Sequence, residues 1–179
     1  MIDLLETTLA ISEQEFEDIF QPMSVEEWIG RLVQNQGWTK NSDGSYDVKG
    51  DVDLSGKNLK ELPVKFRNVT GSFWCDDNQL TSLKGAPEKV GEDFYCSYNQ
   101  LTTLKGAPER VGGDFYCRSN RLTTLEGAPK EVGRDFSCSH NQLTSLEGAP
   151  KEVGRGFYCG FNRIPGKELK KTIKRSYLK

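Results

Sequence analysis

The most reactive side chains in this chain are five thiols, which recur at one fixed spacing of 21 residues. The five are Cys75, Cys96, Cys117, Cys138 and Cys159. No two of them form a C-x-x-C pair, and the single histidine, His140, does not stand at a zinc-ligand spacing from them. A thiol–imidazole nucleophile would need both side chains on one strand face, but alternation turns Cys138 inward and puts residue 140 where the strand ends. We therefore expect reduced, buried, structural thiols and a surface histidine.

A second chemically capable set is a column of carboxylates at the same spacing. It contains Asp93, Asp114 and Asp135, with Asp51 at the corresponding place of an earlier copy and Ser72 interrupting the series. Stacked carboxylates repel one another and could attract a divalent ion or a basic partner. They could equally accept hydrogen bonds from the backbone of each copy. Because the sequence has no phosphate-binding loop, nucleophile elbow or metal-binding helix motif, we expect no enzymatic activity, no cofactor and no metal.

Both columns belong to a repeat that runs from Val48 to about Ile164. From Val69 onwards the full copies read VTGSFWCDDNQLTSLKGAPEK, VGEDFYCSYNQLTTLKGAPER, VGGDFYCRSNRLTTLEGAPKE and VGRDFSCSHNQLTSLEGAPKE. A degenerate copy precedes them and a shortened one follows. A fixed period of roughly 20–50 residues is typical of a solenoid. The alternation in Phe-x-Cys predicts a short strand with one buried face, stacked in parallel, and each repeat Asn should turn inward to satisfy backbone groups.

The repeat resembles the leucine-rich repeat. The segment Phe73-Trp74-Cys75-Asp76-Asp77-Asn78-Gln79-Leu80 fills the pattern L-x-L-x-x-N-x-L, with Phe and Cys in place of two leucines. The short period with its G-A-P turn is similar to the bacterial class of leucine-rich repeats. The repeat sequence is also similar to that of uncharacterised repeat proteins of large tailed bacteriophages. The resemblance implies a leucine-rich-repeat solenoid: a parallel sheet of short strands, an irregular convex side and a concave sheet face where partners dock. The chain departs from the pattern where a Thr or Gly replaces the leading Leu, and where Lys57 replaces Asn.

The flanking segments are predicted to cap the solenoid. We assign residues 1–47 to an N-terminal helical and hairpin cap, 48–164 to six repeats, and 165–179 to a basic capping helix. Capping boxes at Ser12 and Ser24 should open helices over 13–20 and 24–34. Strand-like runs at 38–40 and 46–48 flank a glycine-bearing loop and predict a hairpin, and the final helix should cover about 167–177.

Charge and hydropathy restrict the setting. The net charge is −2, but residues 1–47 hold ten acids against two bases, and residues 165–179 hold six bases against one acid. The sequence has no apolar run long enough to span a membrane and no basic, apolar leader, so we expect a cytoplasmic protein without a membrane partner. This charge asymmetry between the two ends favours distinct partner surfaces. It equally favours a homo-oligomer in which the acidic N-terminal segment of one copy contacts the basic C-terminal segment of the next.

The outward side of the predicted Phe-x-Cys strands is the candidate binding site. Exposed aromatic columns are costly to leave wet, and Tyr, Trp and Arg dominate interface energies, although aromatic residues also favour strands for purely structural reasons. The candidate partner-binding residues are Trp74, Tyr95, Tyr98, Tyr116, Arg118, His140, Tyr158, Phe161, Asp93, Asp114 and Asp135. The favoured hypothesis is a protein-binding module without catalysis, and the phage resemblance implies a target among host proteins, inhibited or redirected in the host cytoplasm. The alternative is nucleic-acid binding through the aromatic column and the basic C-terminal helix.

Overall fold

The fold is a parallel β-solenoid of about five stacked turns. The computed structural model describes residues 37–167, together with Glu27 and Gly30. The predicted solenoid is therefore confirmed. The 21-residue period also sets the register, since Phe73 pairs with Phe94 and Val90 pairs with Val111.

Each turn contributes one strand to each of two sheets. The first sheet, called the Phe sheet here, contains β3 Val52–Asp53, β5 Phe73–Trp74, β7 Phe94–Tyr95, β9 Phe115–Tyr116, β11 Phe136–Ser137 and β13 Phe157–Tyr158. The second, the Val sheet, contains β1 Trp38–Lys40, β2 Tyr46–Val48, β4 Phe66–Val69, β6 Lys89–Val90, β8 Arg110–Val111, β10 Glu131–Val132 and β12 Glu152–Val153. Within each sheet the repeat strands lie in chain order and are parallel, so each strand residue of an inner turn has its repeat counterparts as neighbours above and below.

The Val sheet corrects the expectation of an irregular convex side. From β6 onwards its strands are two residues long, with an inward valine after an outward charged residue. From Val90 onwards, the glycine after each valine lets successive turns approach closely: a Cβ built on Gly112 would lie 2.0 Å from the carbonyl oxygen of Gly91. A leucine at this position, as in the leucine-rich-repeat pattern, would force the turns apart.

The predicted hairpin is confirmed and extends the Val sheet. Strands β1 and β2 pair antiparallel with Trp38 opposite Val48, and β2 pairs parallel with β4. The Trp38 ring packs edge-on against Phe66, with 5.5 Å between ring centroids, and covers the first turn. The predicted helices over 13–20, 24–34 and 167–177 lie outside the described residues, apart from Glu27, Gly30 and Lys167.

The core between the sheets is a stack of identical layers. Successive phenylalanine rings of the Phe sheet lie nearly parallel, with centroids 5.1–5.5 Å apart. Cysteines and leucines fill the rest of each layer, and Cys75, Leu80 and Leu83 are fully buried. The layers need little volume per turn, which is why a chain with only 35% hydrophobic residues can build a continuous core.

A ladder of asparagines joins each turn to the one before it. The Oδ1 of Asn120 accepts a hydrogen bond from the Leu101 amide at 3.0 Å, and its Nδ2 donates to the carbonyls of Cys96 and Cys117 at 3.0 and 3.2 Å. The same pattern recurs at Asn78, Asn99, Asn141 and Asn162. The predicted inward asparagine is confirmed, and it satisfies buried backbone groups that the short strands leave without a partner.

Candidate functional site

The outward column of the Phe sheet is only partly available to a partner. It comprises Trp74, Tyr95, Tyr116, Ser137 and Tyr158. The rings of Tyr95 and Tyr116 stack with centroids 4.9 Å apart and an interplanar angle of 5°. Both rings are half-buried, whereas Tyr158, in the last turn, is 53% exposed. We conclude that the middle of this column is packed against the protein itself.

The tyrosines of this column interact with the carboxylates two residues before them. The Tyr95 hydroxyl donates to Asp93 Oδ2 at 3.3 Å. Burial, followed by the negative charges of Asp93 and Asp114, raises the pKa of Tyr95 to about 12. Burial likewise raises the pKa of Tyr116, with Asp114 and Asp135 adding to the effect. Both phenols therefore stay protonated at physiological pH and act as hydrogen-bond donors.

The aspartate column forms a second ladder between turns. Asp93 Oδ1 accepts from the Asp114 amide at 2.8 Å, and Asp114 Oδ1 accepts from the Asp135 amide at 2.9 Å. Asp135 continues the series to the Gly156 amide at 2.7 Å. These bonds match the structural alternative for the column and use one oxygen of each carboxylate. Among residues 37–167 the structure brings together no His, Cys, Asp and Glu cluster suited to a metal ion.

The most exposed rings lie three residues further along each turn, directly before the ladder asparagine. We call Tyr98, His140 and Phe161 the ring ridge. Tyr98 is 51% exposed and Phe161 is 79% exposed. His140, also exposed, stacks on Phe161 with 4.2 Å between ring centroids. The ridge therefore presents ring surface to solvent over the C-terminal half of the Phe sheet.

Each ridge residue has a left-handed backbone. The φ angles are 52° at Tyr98 and 55° at both His140 and Phe161. This conformation is uncommon for residues other than glycine, although asparagine, aspartate and histidine are enriched in it, and for the bulky rings of Tyr98 and Phe161 it is an outlier. The first two copies hold Gly56 and Asp77 at the same position, which are types that adopt it readily. The large rings are thus placed where a smaller residue would fit the backbone better.

A cation lies beside the ridge. The Arg118 guanidinium stands over the Tyr98 ring, 5.4 Å from its centroid, and its side chain is exposed. At the N-terminal end of the same face lie Asp76 and Asp77, and burial together with the charges of Asp53 and Asp77 raises the pKa of Asp76. The face therefore carries acidic groups at one end and rings with one cation at the other.

The structure keeps the thiols away from the only imidazole. Cys138 is buried and burial raises the pKa of its thiol, while His140 is exposed and engaged with Phe161. Burial also raises the pKa of the fully buried thiols Cys75, Cys96 and Cys117. This geometry offers neither a thiolate nor a base next to it. The buried, reduced thiols expected from the sequence are observed, with Cys159 half-buried in the last turn.

Comparison with known proteins gave no matching family model, no matching curated protein and no matching solved structure. In the part of the chain that the structure describes, no helix has the length and apolar character to cross a membrane. The function is therefore inferred from the surface itself.

The candidate residues fall into three groups in space. Tyr98, Arg118, His140 and Phe161 form one exposed surface. Trp74, Tyr95, Tyr116 and Tyr158 form the column beside it, in which Tyr158 is exposed and the other three are half-buried. The three aspartates form the backbone ladder at the start of the strands. Sequence reasoning missed the backbone strain of the ridge, because strand alternation carries no information about the turn that follows.

Proposed function

We propose that this protein is a non-enzymatic protein-binding module whose main contact surface is the ring ridge together with Arg118. The observation that carries the proposal is the coincidence of large exposed rings with left-handed backbone at Tyr98, His140 and Phe161. Each such residue costs roughly 1–2 kcal/mol relative to ordinary backbone. The left-handed turn recurs at Asp77 and Ser119, so it belongs to every repeat, but the ridge copies hold large exposed rings in it, and strain of this kind clusters at functional positions.

The residue types fit a protein partner. Tyrosine and arginine are enriched among residues that dominate binding energy, and stacked rings lose little side-chain entropy when a partner covers them. Tyr98 and Phe161 are three turns apart, which at about 4.8 Å per turn gives a ridge near 15 Å long. That length suits a short apolar segment of a partner, with an acidic group opposite Arg118. The resemblance to bacteriophage repeat proteins supports a target in the host cytoplasm, and the resemblance to leucine-rich repeats supports docking on the sheet.

Three substitutions to asparagine test this surface. In Tyr98→Asn/His140→Asn/Phe161→Asn each new residue suits left-handed backbone, so we expect thermal stability to stay level or to rise. Binding should fall at least tenfold as ring surface is lost. The matched control is Tyr95→Phe/Tyr116→Phe, which keeps both rings of the neighbouring half-buried column and should bind as wild type. Partners would be captured from host lysate with the wild-type protein and their affinities then measured on all three proteins.

The binding measurements can contradict the ridge as contact surface or extend the interface to the aspartate column. A partner that binds the asparagine variant as tightly as the wild type would overturn the ridge as contact surface. An Asp114→Asn variant separates the roles of the aspartate column, because asparagine keeps an oxygen for the Asp135 amide and loses the charge. If that variant stays folded but binds less, the carboxylates belong to the interface as well.

Single-stranded nucleic acid is the second candidate, favoured by the exposure of the Tyr98 and Phe161 rings. Such rings can stack bases, and Arg118 can contact phosphate. The carboxylates of Asp76, Asp77 and Asp93 on the same face oppose a polyanion. Retention of material that nuclease removes, with an affinity that falls steeply with salt, would select this candidate over a protein partner.

A further inference from the structure

The Val sheet carries three columns of charge that all change sign at the same step. Their residues lie in, or shortly before, the strands of four successive turns, and all are exposed except the half-buried Glu131. The first column is Lys84, Lys105, Glu126 and Glu147. The second is Glu88, Glu109, Lys130 and Lys151. The third is Lys89, Arg110, Glu131 and Glu152. We call these twelve residues the charge face.

The change of sign produces ion pairs only at the middle step. Lys105 pairs with Glu126 at 3.1 Å, and Lys130 pairs with Glu109 at 3.3 Å. Arg110 and Glu131 form the third pair, between directly opposed strand residues. All three pairs are well exposed to solvent.

Stability of the single chain does not explain this arrangement. At the other steps of each column, like charges stand one above another at about 4.8 Å, as Lys89 does below Arg110 and Glu131 does below Glu152. Like charges directly opposed across strands are destabilising. Signs that alternated from turn to turn would have placed an ion pair at every step.

A second copy of the chain resolves the repulsion. Consider a two-fold axis parallel to the strands, midway between the turns of residues 105–110 and 126–131. Rotation about it lays one Val sheet on another, brings each column opposite itself and reverses the order of turns. Lys84 then faces Glu147 of the partner subunit, Lys89 faces Glu152 of the partner subunit, and every member of the charge face meets its opposite.

A face-to-face two-fold axis along the solenoid and through the second column fails. It would place each turn opposite itself, so that Glu88 and Glu109 would meet their own copies. The sign pattern therefore opposes that arrangement and fits the axis parallel to the strands. An interface about a two-fold axis must be complementary to itself, and a pattern that inverts its sign about a centre meets that requirement.

We propose that the charge face is a self-complementary interface through which two copies of this chain associate antiparallel, Val sheet against Val sheet. The ring ridge lies on the other sheet, so the pair carries two ridges and both remain open to other partners. This dimer differs from the joining of acidic front to basic tail, because its contacts lie entirely within residues 84–152.

Sedimentation velocity of the full chain tests the association. The wild type should form a dimer at low ionic strength and dissociate as salt screens the pairs. The variant Lys84→Glu/Lys89→Glu should weaken the dimer about tenfold or more, since symmetry turns four opposed pairs into repulsions. The monomer should keep its fold, because in its own chain each substituted position lies next to a cation, Lys105 or Arg110.

A compensating variant makes the test specific. Adding Glu147→Lys/Glu152→Lys to the two substitutions reinstates every opposed pair and should restore the dimer. A wild type that stays monomeric at low salt overturns the proposal. So does a dimer that the two-residue variant leaves unchanged, which would move the contact to another surface such as the termini.

Cross-linking tests the antiparallel geometry. A Lys89→Cys chain and a Glu152→Cys chain, mixed and treated with a short bismaleimide at low salt, should give a covalent pair of the two different chains. The Lys89→Cys chain alone should give no more product than the wild type, whose native thiols are the background. Efficient coupling of Lys89→Cys to itself would show that like turns meet, and would refute the arrangement.

Discussion

Replacing one ladder asparagine should cost far more in the middle of the solenoid than at its end. In Asn120→Ala, three carbonyls that accept from Nδ2 keep other donors: Cys96 keeps Asn99, Cys117 keeps Asn141, and Arg118 keeps the Tyr98 amide. The buried Leu101 amide loses its acceptor. An orphaned buried donor costs about 1–3 kcal/mol, and the three carbonyls add little because each keeps another donor. We expect a total of about 3 kcal/mol, at the upper end of that range, because the Leu101 amide is buried.

The matched control is Asn162→Ala in the last turn. Asn162 makes the same bonds, to the Leu143 amide at 3.0 Å and the Cys138 carbonyl at 3.0 Å, but it is only half-buried. Water can replace a half-buried partner, so we expect a loss of about 1 kcal/mol. Urea unfolding followed by circular dichroism measures both, and a loss of about 3 kcal/mol should lower the midpoint of thermal unfolding by roughly 6–12 °C. Equal losses for the two variants would refute the reasoning that burial of the orphaned amide sets the cost.

Two further predictions concern the close packing of the turns. Gly133→Ala places a Cβ 1.9 Å from the Gly112 carbonyl oxygen and should cost about 3 kcal/mol, whereas Gly160→Ala, which meets nothing within 4 Å, should stay within about 0.5 kcal/mol in the same urea assay. The buried thiols Cys75, Cys96 and Cys117 have raised pKa values, so above pH 9 the unfolded chain releases protons that the folded chain keeps, and stability should fall by up to about 1.4 kcal/mol per pH unit for each thiol. Urea midpoints measured from pH 7 to about pH 10 check the sign, and a Cys117→Ser variant should show a shallower slope; a midpoint independent of pH would contradict the burial of the thiols.

The Phe sheet and the asparagine ladder were predictable because the repeat has no insertions. A strict 21-residue period places Phe73 below Phe94 and Asn78 below Asn99 whatever the details of each turn. The pattern within Phe-x-Cys then decides which side chain is buried. The hairpin before the repeats was predictable from its glycine-bearing loop between two strand-like runs.

The Val sheet was not predictable from the same reasoning. From β6 onwards its strands contribute only two residues per turn, too few for an alternating pattern to be recognised. Its existence depends on glycine at positions such as Gly112, where the absence of a side chain lets backbones meet across turns. From sequence alone, a glycine in a repeat is interpreted as a turn residue. Only the close contact of Gly112 with Gly91 shows that this glycine allows the strands of the Val sheet to pair.

The ring ridge and the charge face were not predicted from the sequence, for different reasons. Residue types at the ridge position vary from Asp77 to Tyr98 to Phe161, so their shared backbone conformation cannot be inferred from propensity. The charge face is visible in the sequence at the 21-residue period, but net charge conceals it, since its positive and negative halves cancel. It becomes meaningful once Arg110 and Glu131 are known to be neighbours on an exposed sheet.

The asparagine ladder also bears on how the chain acquires its fold during synthesis. Each asparagine bonds groups in its own turn and in the turn before it, as Asn99 does with the Leu80 amide and the Cys75 carbonyl. A newly made turn can therefore complete the hydrogen bonding of its predecessor without waiting for any later residue. Growth can start from the hairpin of β1 and β2 and proceed in one direction, with a single incomplete turn at the advancing end. A nascent chain of this kind exposes the same small unfinished surface at every length, which limits the opportunity for misassembly on the ribosome.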